Sequence, residues 1–216
     1  MKSFQPDESL VKKRGNLPHW TQDGVMYFVT FRLADSIPEK AMNEWSDERV
    51  DWIRCHGFDP KDFCSSLLSE EDQKDYARRF GRKFHELLDA GFGDCVLRDR
   101  GIREVVVEAL RYFDGERYDL DCFVVMPNHV HLLFELKEGF HLSDILRSVK
   151  SFSGRVINRD LGREGKFWQT ESYDRIVRNE RELERYRNYI LENPAKAKLS
   201  MRIFRRSRWL CLWNLG

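Results

Sequence analysis

Hydrophobic positions along the chain switch repeatedly between a two-residue and a helical period. VMYFVTFRL (Val25 to Leu33) is dense in β-branched and aromatic residues and opens after Asp23-Gly24, which predicts a strand. Residues 38–92 are polar and charged, with helical patches such as EEDQKDYARRFGRKFHELLDAG closing on Gly91, a C-cap signal. This excursion reads as an insertion, and its acidity suits a solvent-facing subdomain. IREVVVEALRYF (Ile102 to Phe113) returns to the core with apolar residues at helical spacing. DLDCFVVM and HVHLLFEL follow as two strands, and the short link Pro127-Asn128 makes them an antiparallel hairpin.

An amphipathic helix comes next, with Leu142, Ile145, Leu146, Val149, Phe152 and Val156 on one face and Arg147, Lys150, Ser151 and Arg155 on the other. SYDRIVR (Ser172 to Arg178) alternates like a strand. The last helix starts at the N-cap Asn179, has Glu182 in the capping-box position, and stops near Asn193 before Pro194. With 38–92 set aside, the order is βαββαβ plus a trailing helix. The expected fold is α+β: a ferredoxin-like antiparallel sheet with helices on one face and a C-terminal tyrosine-bearing helix. We expect residues 1–216 to form one domain, with a basic tail at about 195–216 in which Trp209 and Trp213 pack back or meet bases.

Composition narrows the class. Apolar residues at 41% and aromatics at 13% fit a folded globular chain. No stretch approaches the ~18 apolar residues of a membrane span, and the N-terminus lacks a signal-peptide run, so a cytoplasmic protein is expected. Five widely spaced cysteines without C-x-x-C argue against a disulfide scaffold or a cysteine zinc site. The net charge of +1 conceals an asymmetry. From Asp35 to Asp75, 12 acidic residues face 5 basic, a net of −7; from Arg147 to Arg208, 17 basic face 8 acidic, a net of +9. The basic segment suits a phosphate backbone, although a solvated face is its plainer reading.

Candidate chemistry centres on MPNHVHLL. His129 and His131 lie at i and i+2, so on a strand they share a face about 7 Å apart and their imidazoles converge on one ion. Val130 points the other way, into the core. Two unrelated structural histidines would give the same spacing, so the last helix matters. There Tyr189 and Asn193 lie at i and i+4, on one helix face. Two imidazoles, an amide oxygen and open positions suit Mg²⁺ or Mn²⁺ better than a closed zinc site. A phenol near such an ion is a candidate nucleophile. Because the residue before a proline disfavours helical geometry, Glu192 rivals Asn193 as the third ligand. Tyr186 and Tyr173 are rival phenols; Tyr186 joins an apolar stripe, and Tyr173 lies on the proposed strand. Arg32, Lys150, Arg155, Arg175 and Arg178 are candidate phosphate contacts. Trp168 and Phe167 are candidate stacking platforms for unpaired bases, with core packing as the alternative.

YFVTFRL, FVVMPNHVHLL, SFSGRVINRDLGREGKFWQTESYDRIVRNE and YILENPAKA together resemble the REP-associated tyrosine transposases, single-tyrosine members of the HUH superfamily. The resemblance covers roughly Asn16 to Leu199. It implies His129, His131 and Asn193 as metal ligands and Tyr189 as nucleophile. It also implies single-stranded or hairpin DNA as substrate, cut to a 5′-phosphotyrosine and a free 3′-hydroxyl without a nucleotide energy source, by a monomer or homodimer. The alternatives are a domesticated, non-catalytic binder of structured DNA or RNA, and a metal-dependent hydrolase in which water attacks.

Overall fold

The computed structural model describes residues 10–14, 17–22, 24–61, 63, 67–197, 201–206 and 209–214, with backbone alone for the first and last two strands. Strands β1 (Leu10–Arg14) and β2 (Leu17–Thr21) form a separate antiparallel ribbon. Strand β3 (Met26–Arg32) opens the main sheet. Helices α1 (Glu39–Cys55), α2 (Glu70–Tyr76) and α3 (Arg82–Asp89) come next, the last two joined by a π-helical turn, Ala77–Gly81. Helix α4 (Arg100–Arg111), the hairpin β4 (Tyr118–Val125) and β5 (His129–Leu136), helix α5 (Leu142–Asp160), strand β6 (Tyr173–Ile176) and helix α6 (Glu180–Lys196) complete the predicted set. Strands β7 (Met201–Arg206) and β8 (Trp209–Asn214) end it.

The main sheet runs β6-β3-β5-β4-β8-β7. The first four pair antiparallel, with β3 between β5 and β6 and β5 between β3 and β4. β8 joins β4 in parallel, and β7 pairs with β8. The tail therefore covers what would be an open edge of β4, whose unpaired backbone groups make such an addition favourable. The side chains of Trp209 and Trp213, expected to pack back or meet bases, lie outside the described residues.

Alternation along the strands divides the molecule into two faces. Tyr27, Val29, Phe31, Val130, Leu132 and Phe134 pack against Val106, Val107 and Leu110 of α4 and Ile145, Leu146 and Val149 of α5. Met26, Phe28, Cys122, Val124 and Leu133 pack against Leu183, Tyr186 and Ile190 of α6. In β4 a register shift between Leu120 and Cys122 changes which residues face which side. Helices thus cover both faces, and the one bearing Tyr189 lies opposite α4 and α5.

Three local expectations need correction. Phe152, placed on the apolar stripe of α5, is 47% exposed. Pro194 does not stop α6, which continues to Lys196. With so few residues beyond it, the lost backbone donor costs little there. Asn179 caps the helix through its side chain to Glu182 N (2.9 Å), but Glu182 reaches Arg178 N (3.0 Å) and Arg175 rather than Asn179.

The segment between β3 and α4 is more than a solvated excursion. Trp45, Trp52, Ile53, Phe63, Phe80, Phe84 and Leu88 form a core of their own. Trp45 Nε1 donates to Phe80 O across it (3.1 Å), and buried Arg49 donates to the Tyr76 hydroxyl. The end of α3 is fastened to the main sheet: Asn128 Nδ2 donates to Leu88 O and Phe92 O, each at 3.2 Å.

Candidate metal and nucleophile site

The pairing of β3 with β5 sets Thr30 opposite His131 and Arg32 opposite His129. His129 and His131 emerge on the α6 face, as their spacing predicts, and Val130 enters the core on the other. Both imidazoles are fully buried, not open to solvent. Asn128 Oδ1 can only accept, so His129 Nδ1–H donates to it (2.8 Å), leaving the lone pair on Nε2. The Thr30 hydroxyl lies 2.7 Å from His131 Nδ1, and the Tyr189 hydroxyl 3.3 Å from His131 Nε2. The Thr30 hydroxyl can donate to His131 Nδ1 or accept from it, so the His131 proton sits on Nε2 in the first case and on Nδ1 in the second. His131 Nε2 stands 3.0 Å from His129 Nε2, close enough to donate to it when protonated or to share one cation with it when not.

Helix α6 brings up the remaining groups. Tyr189 is half-buried, its ring 5.0 Å from that of His131 and nearly perpendicular to it. One turn later Asn193 is 1% exposed, and neither amide atom has a hydrogen-bond partner. An unsatisfied buried amide costs about 1–3 kcal/mol, and a group bearing that cost is suited to a ligand. Glu192, the rival ligand, turns outward to Lys196 (3.1 Å). Two imidazoles and a buried, unpartnered amide are neutral nitrogen and oxygen donors of the kind that an open divalent-metal site uses. Among the described residues no group of three or more His, Cys, Asp or Glu side chains is arranged to hold a metal.

Burial governs the protonation states. His129 is pushed down to about 3 by burial, helped by His85; His131 falls well below its ordinary value through burial and both other histidines. The Tyr189 phenol is pushed up by burial and by the charge of Asp89. Asp89 Oδ1 lies 3.9 Å from His129 Nε2, but His129 is neutral and no ion pair forms. The rival phenols differ in setting. Tyr186 is buried and stacks on Phe28, ring centroids 4.2 Å apart; Tyr173 sits on β6 against Phe84 and His85.

Two groups invisible to sequence reasoning belong to this site because α3 is pinned beside it. The His85 ring is tilted against those of His131 (5.5 Å) and Tyr189 (5.3 Å), with Nδ1 buried and unpaired, and burial lowers it to about 4. Asp89 is the other, raised by burial to about 6. Asn128, which fixes the His129 tautomer, and Thr30, which bonds His131 Nδ1, were also missed. Asn128 adjoins His129 in sequence, and that was the available signal.

The expected DNA contacts divide. Trp168 is a correction: its indole is buried edge-on against Phe31 (4.8 Å) and donates to Ser153 Oγ (2.9 Å), so no ring face is free to stack. Arg32 is buried, donates to Ser36 Oγ (3.1 Å), and is lowered to about 10 by burial against the pull of Glu171. Arg175 bonds Glu182 (3.0 Å) and Arg178 bonds Gln73 (3.3 Å), so both tie elements together instead of reaching outward. Lys150 donates to Thr170 O and Ser172 Oγ, and burial lowers it to about 8, with Arg32 adding to the fall. Arg155 is exposed as expected. Arg147, Lys150, Arg155, Arg159, Arg163 and Phe167 line a groove of about 1350 Å³ between α5 and residues 163–174.

The histidine shifts predict acid sensitivity in metal-free protein. A buried neutral histidine leaves stability intact above its unfolded value near 6.5, and stability falls as pH drops because only the unfolded chain takes the proton. His85, His129 and His131 act together from pH 6.5 to about 4. Asp89, raised to about 6, opposes them because its folded form holds a proton the unfolded form has lost. The net loss is on the order of 3 kcal/mol per pH unit between pH 6 and 5. Thermal melting in EDTA at pH 7 and pH 5 measures it, and an unchanged midpoint would show that these imidazoles are not buried and neutral.

Residues 96–193 match the family model described as "Transposase IS200 like". No curated protein matches the chain. Among solved structures, a REP-associated tyrosine transposase bound to a REP hairpin aligns at 15% identity over 87% of this chain and 74% of its own, with TM-score 0.45. A Deinococcus radiodurans R1 protein assigned as a transposase aligns at 14% identity over 85% and 98%, with TM-score 0.35. Scores this low leave the fold to be described from the sheet itself.

Proposed function

We propose, on the premise that residues 96–193 form an IS200-like transposase domain, that this protein cuts and rejoins single-stranded DNA by metal-dependent transesterification through Tyr189. Such a domain makes the chain a DNA transposase, a DNA-cleaving and strand-transferring enzyme. The finer reading rests on one observation: the Tyr189 hydroxyl lies 3.3 Å from His131 Nε2, which lies 3.0 Å from His129 Nε2. A phenol beside two imidazole Nε2 atoms on a buried face supports the reading of a nucleophile held next to a cation.

Asn128 holds the His129 tautomer that leaves Nε2 as an acceptor, the Thr30 hydroxyl can take the His131 proton on Nδ1 and so free that Nε2 for an ion, and Asn193 offers a buried amide oxygen. Bound Mg²⁺ or Mn²⁺ would supply Lewis-acid stabilisation of charge developing on the phosphate. Attack forms a bond from Tyr189 Oη to phosphorus and breaks the bond from phosphorus to O3′. The phenolic proton is released to water, and the leaving oxygen takes a proton to become the 3′-hydroxyl. The 5′-phosphotyrosine conserves the bond, so rejoining needs no ATP. The deciding experiment incubates the protein with Mn²⁺ and a 3′-labelled hairpin oligonucleotide and looks for label on denatured protein. Efficient nicking without an adduct would assign the attack to water.

The groove beside α5 is the proposed path of the strand. We expect hairpin or single-stranded DNA to bind more tightly than plain duplex, with log affinity falling linearly against log salt by about 0.7 per phosphate neutralised on a single strand. Arg155→Ala should weaken all sequences alike and reduce that slope by roughly one such increment. Titrations of matched hairpin, linear and duplex DNA at several salt concentrations decide it; equal affinities for all three would leave only unselective charge attraction.

A further inference from the structure

We propose that Asp89, at the end of α3, is the anionic group of the metal site, its carboxylate placed to hold a water that a divalent ion at the histidines would carry; this rests on the metal-dependent reading above. Asp89 precedes residue 96 and so lies outside the segment that matches the transposase family. The segment between β3 and α4 is therefore part of the reaction centre.

The first support is position. Asp89 Oδ1 stands 3.9 Å from His129 Nε2, beyond hydrogen-bond reach but close enough for one water to bridge it to an ion bound there. Mg²⁺ sheds its waters reluctantly and is commonly held in this manner. The second support is anchorage. Asn128 donates to Leu88 O and Phe92 O on either side of Asp89 while accepting from His129. One amide thus fixes both the imidazole and the backbone that carries the carboxylate. The third is charge. His129, His131 and Asn193 are all neutral, so their donor set offers a divalent ion no compensating charge. Among the described residues Asp89 brings a carboxylate within 4 Å of His129, and with a side chain 36% exposed it keeps one side open to water.

Groups that hold a metal's ligands or waters in place typically contribute 10–100-fold to metal affinity. Isothermal titration of Mn²⁺ into unmutated protein, Asp89→Asn, Asp89→Ala and His131→Ala tests this without any DNA. The expected result is a drop of 10–100-fold for Asp89→Ala, a similar or smaller drop for Asp89→Asn, and loss of binding for His131→Ala. Melting curves in EDTA accompany each variant; if Asp89→Ala fails to fold, the near-isosteric Asp89→Asn decides. Unchanged Mn²⁺ affinity in a folded Asp89 variant overturns the proposal while leaving the histidine site standing. Unmutated protein that takes up no Mn²⁺ overturns the metal reading itself, and this proposal with it.

Discussion

Tyr189→Phe should stop the covalent protein–DNA adduct and strand cleavage while leaving the fold and hairpin affinity nearly unchanged. The substitution removes one oxygen from a half-buried ring and keeps its packing beside His131 and His85. It deletes a single 3.3 Å hydrogen bond, a loss of about 1 kcal/mol of stability. Removing the attacking atom should cost at least roughly 10³-fold in rate, the scale seen when a covalent nucleophile is taken away. Tyr186→Phe and Tyr173→Phe are the controls. Tyr186 is stacked on Phe28 and its hydroxyl serves no imidazole, so that variant should cleave normally. Tyr173 lies on β6 against the insertion and should also be dispensable for chemistry. Label transfer to denatured protein, with mass spectrometry of the modified peptide, reads the result. An adduct that persists in Tyr189→Phe, or maps to another residue, moves the nucleophile elsewhere.

His129→Ala and His131→Ala should each abolish Mg²⁺- or Mn²⁺-dependent cleavage, but neither will be silent for stability. The sequence alone suggests that these side chains point into an open site, so that truncation leaves the fold untouched. The structure places both in full burial, with His131 stacked on Phe28 (5.7 Å). Truncation opens a cavity and strands Thr30 or Asn128 without its imidazole partner, at a cost of about 1–3 kcal/mol each. His→Gln variants keep more of the volume and should recover part of that stability without recovering cleavage. Melting curves beside a nicking assay separate the two effects. Full activity in either alanine variant would remove the metal assignment, whereas unfolding in all four would leave the histidines as core residues only.

Much of the site was legible because strand and helix periods are short-range facts. A two-residue spacing put His129 and His131 on one face whatever the rest of the chain did, and a four-residue spacing did the same for Tyr189 and Asn193. The positions of β3, α4, β4, β5, α5, β6 and α6 followed from apolar periodicity, since each must bury one side. The aromatics and cations were less legible. Trp168 between basic residues reads like a stacking platform, but whether its ring faces solvent depends on how residues 163–170 fold over α5. Arg175 and Arg178 carry the charge a phosphate wants, and they spend it on Glu182 and Gln73.

The sequence by itself determined which residues could share a face, because that depends only on backbone period. Tertiary structure alone decided what stands opposite them. Thr30 meets His131 through a contact 101 residues apart, and Asp89 and His85 approach from a segment whose composition reads as a solvent-exposed insertion. No local pattern encodes such meetings: they arise from strand register and from Asn128 holding α3 against β5. The same long-range packing buries the imidazoles and the phenol, and burial, not residue type, sets their protonation.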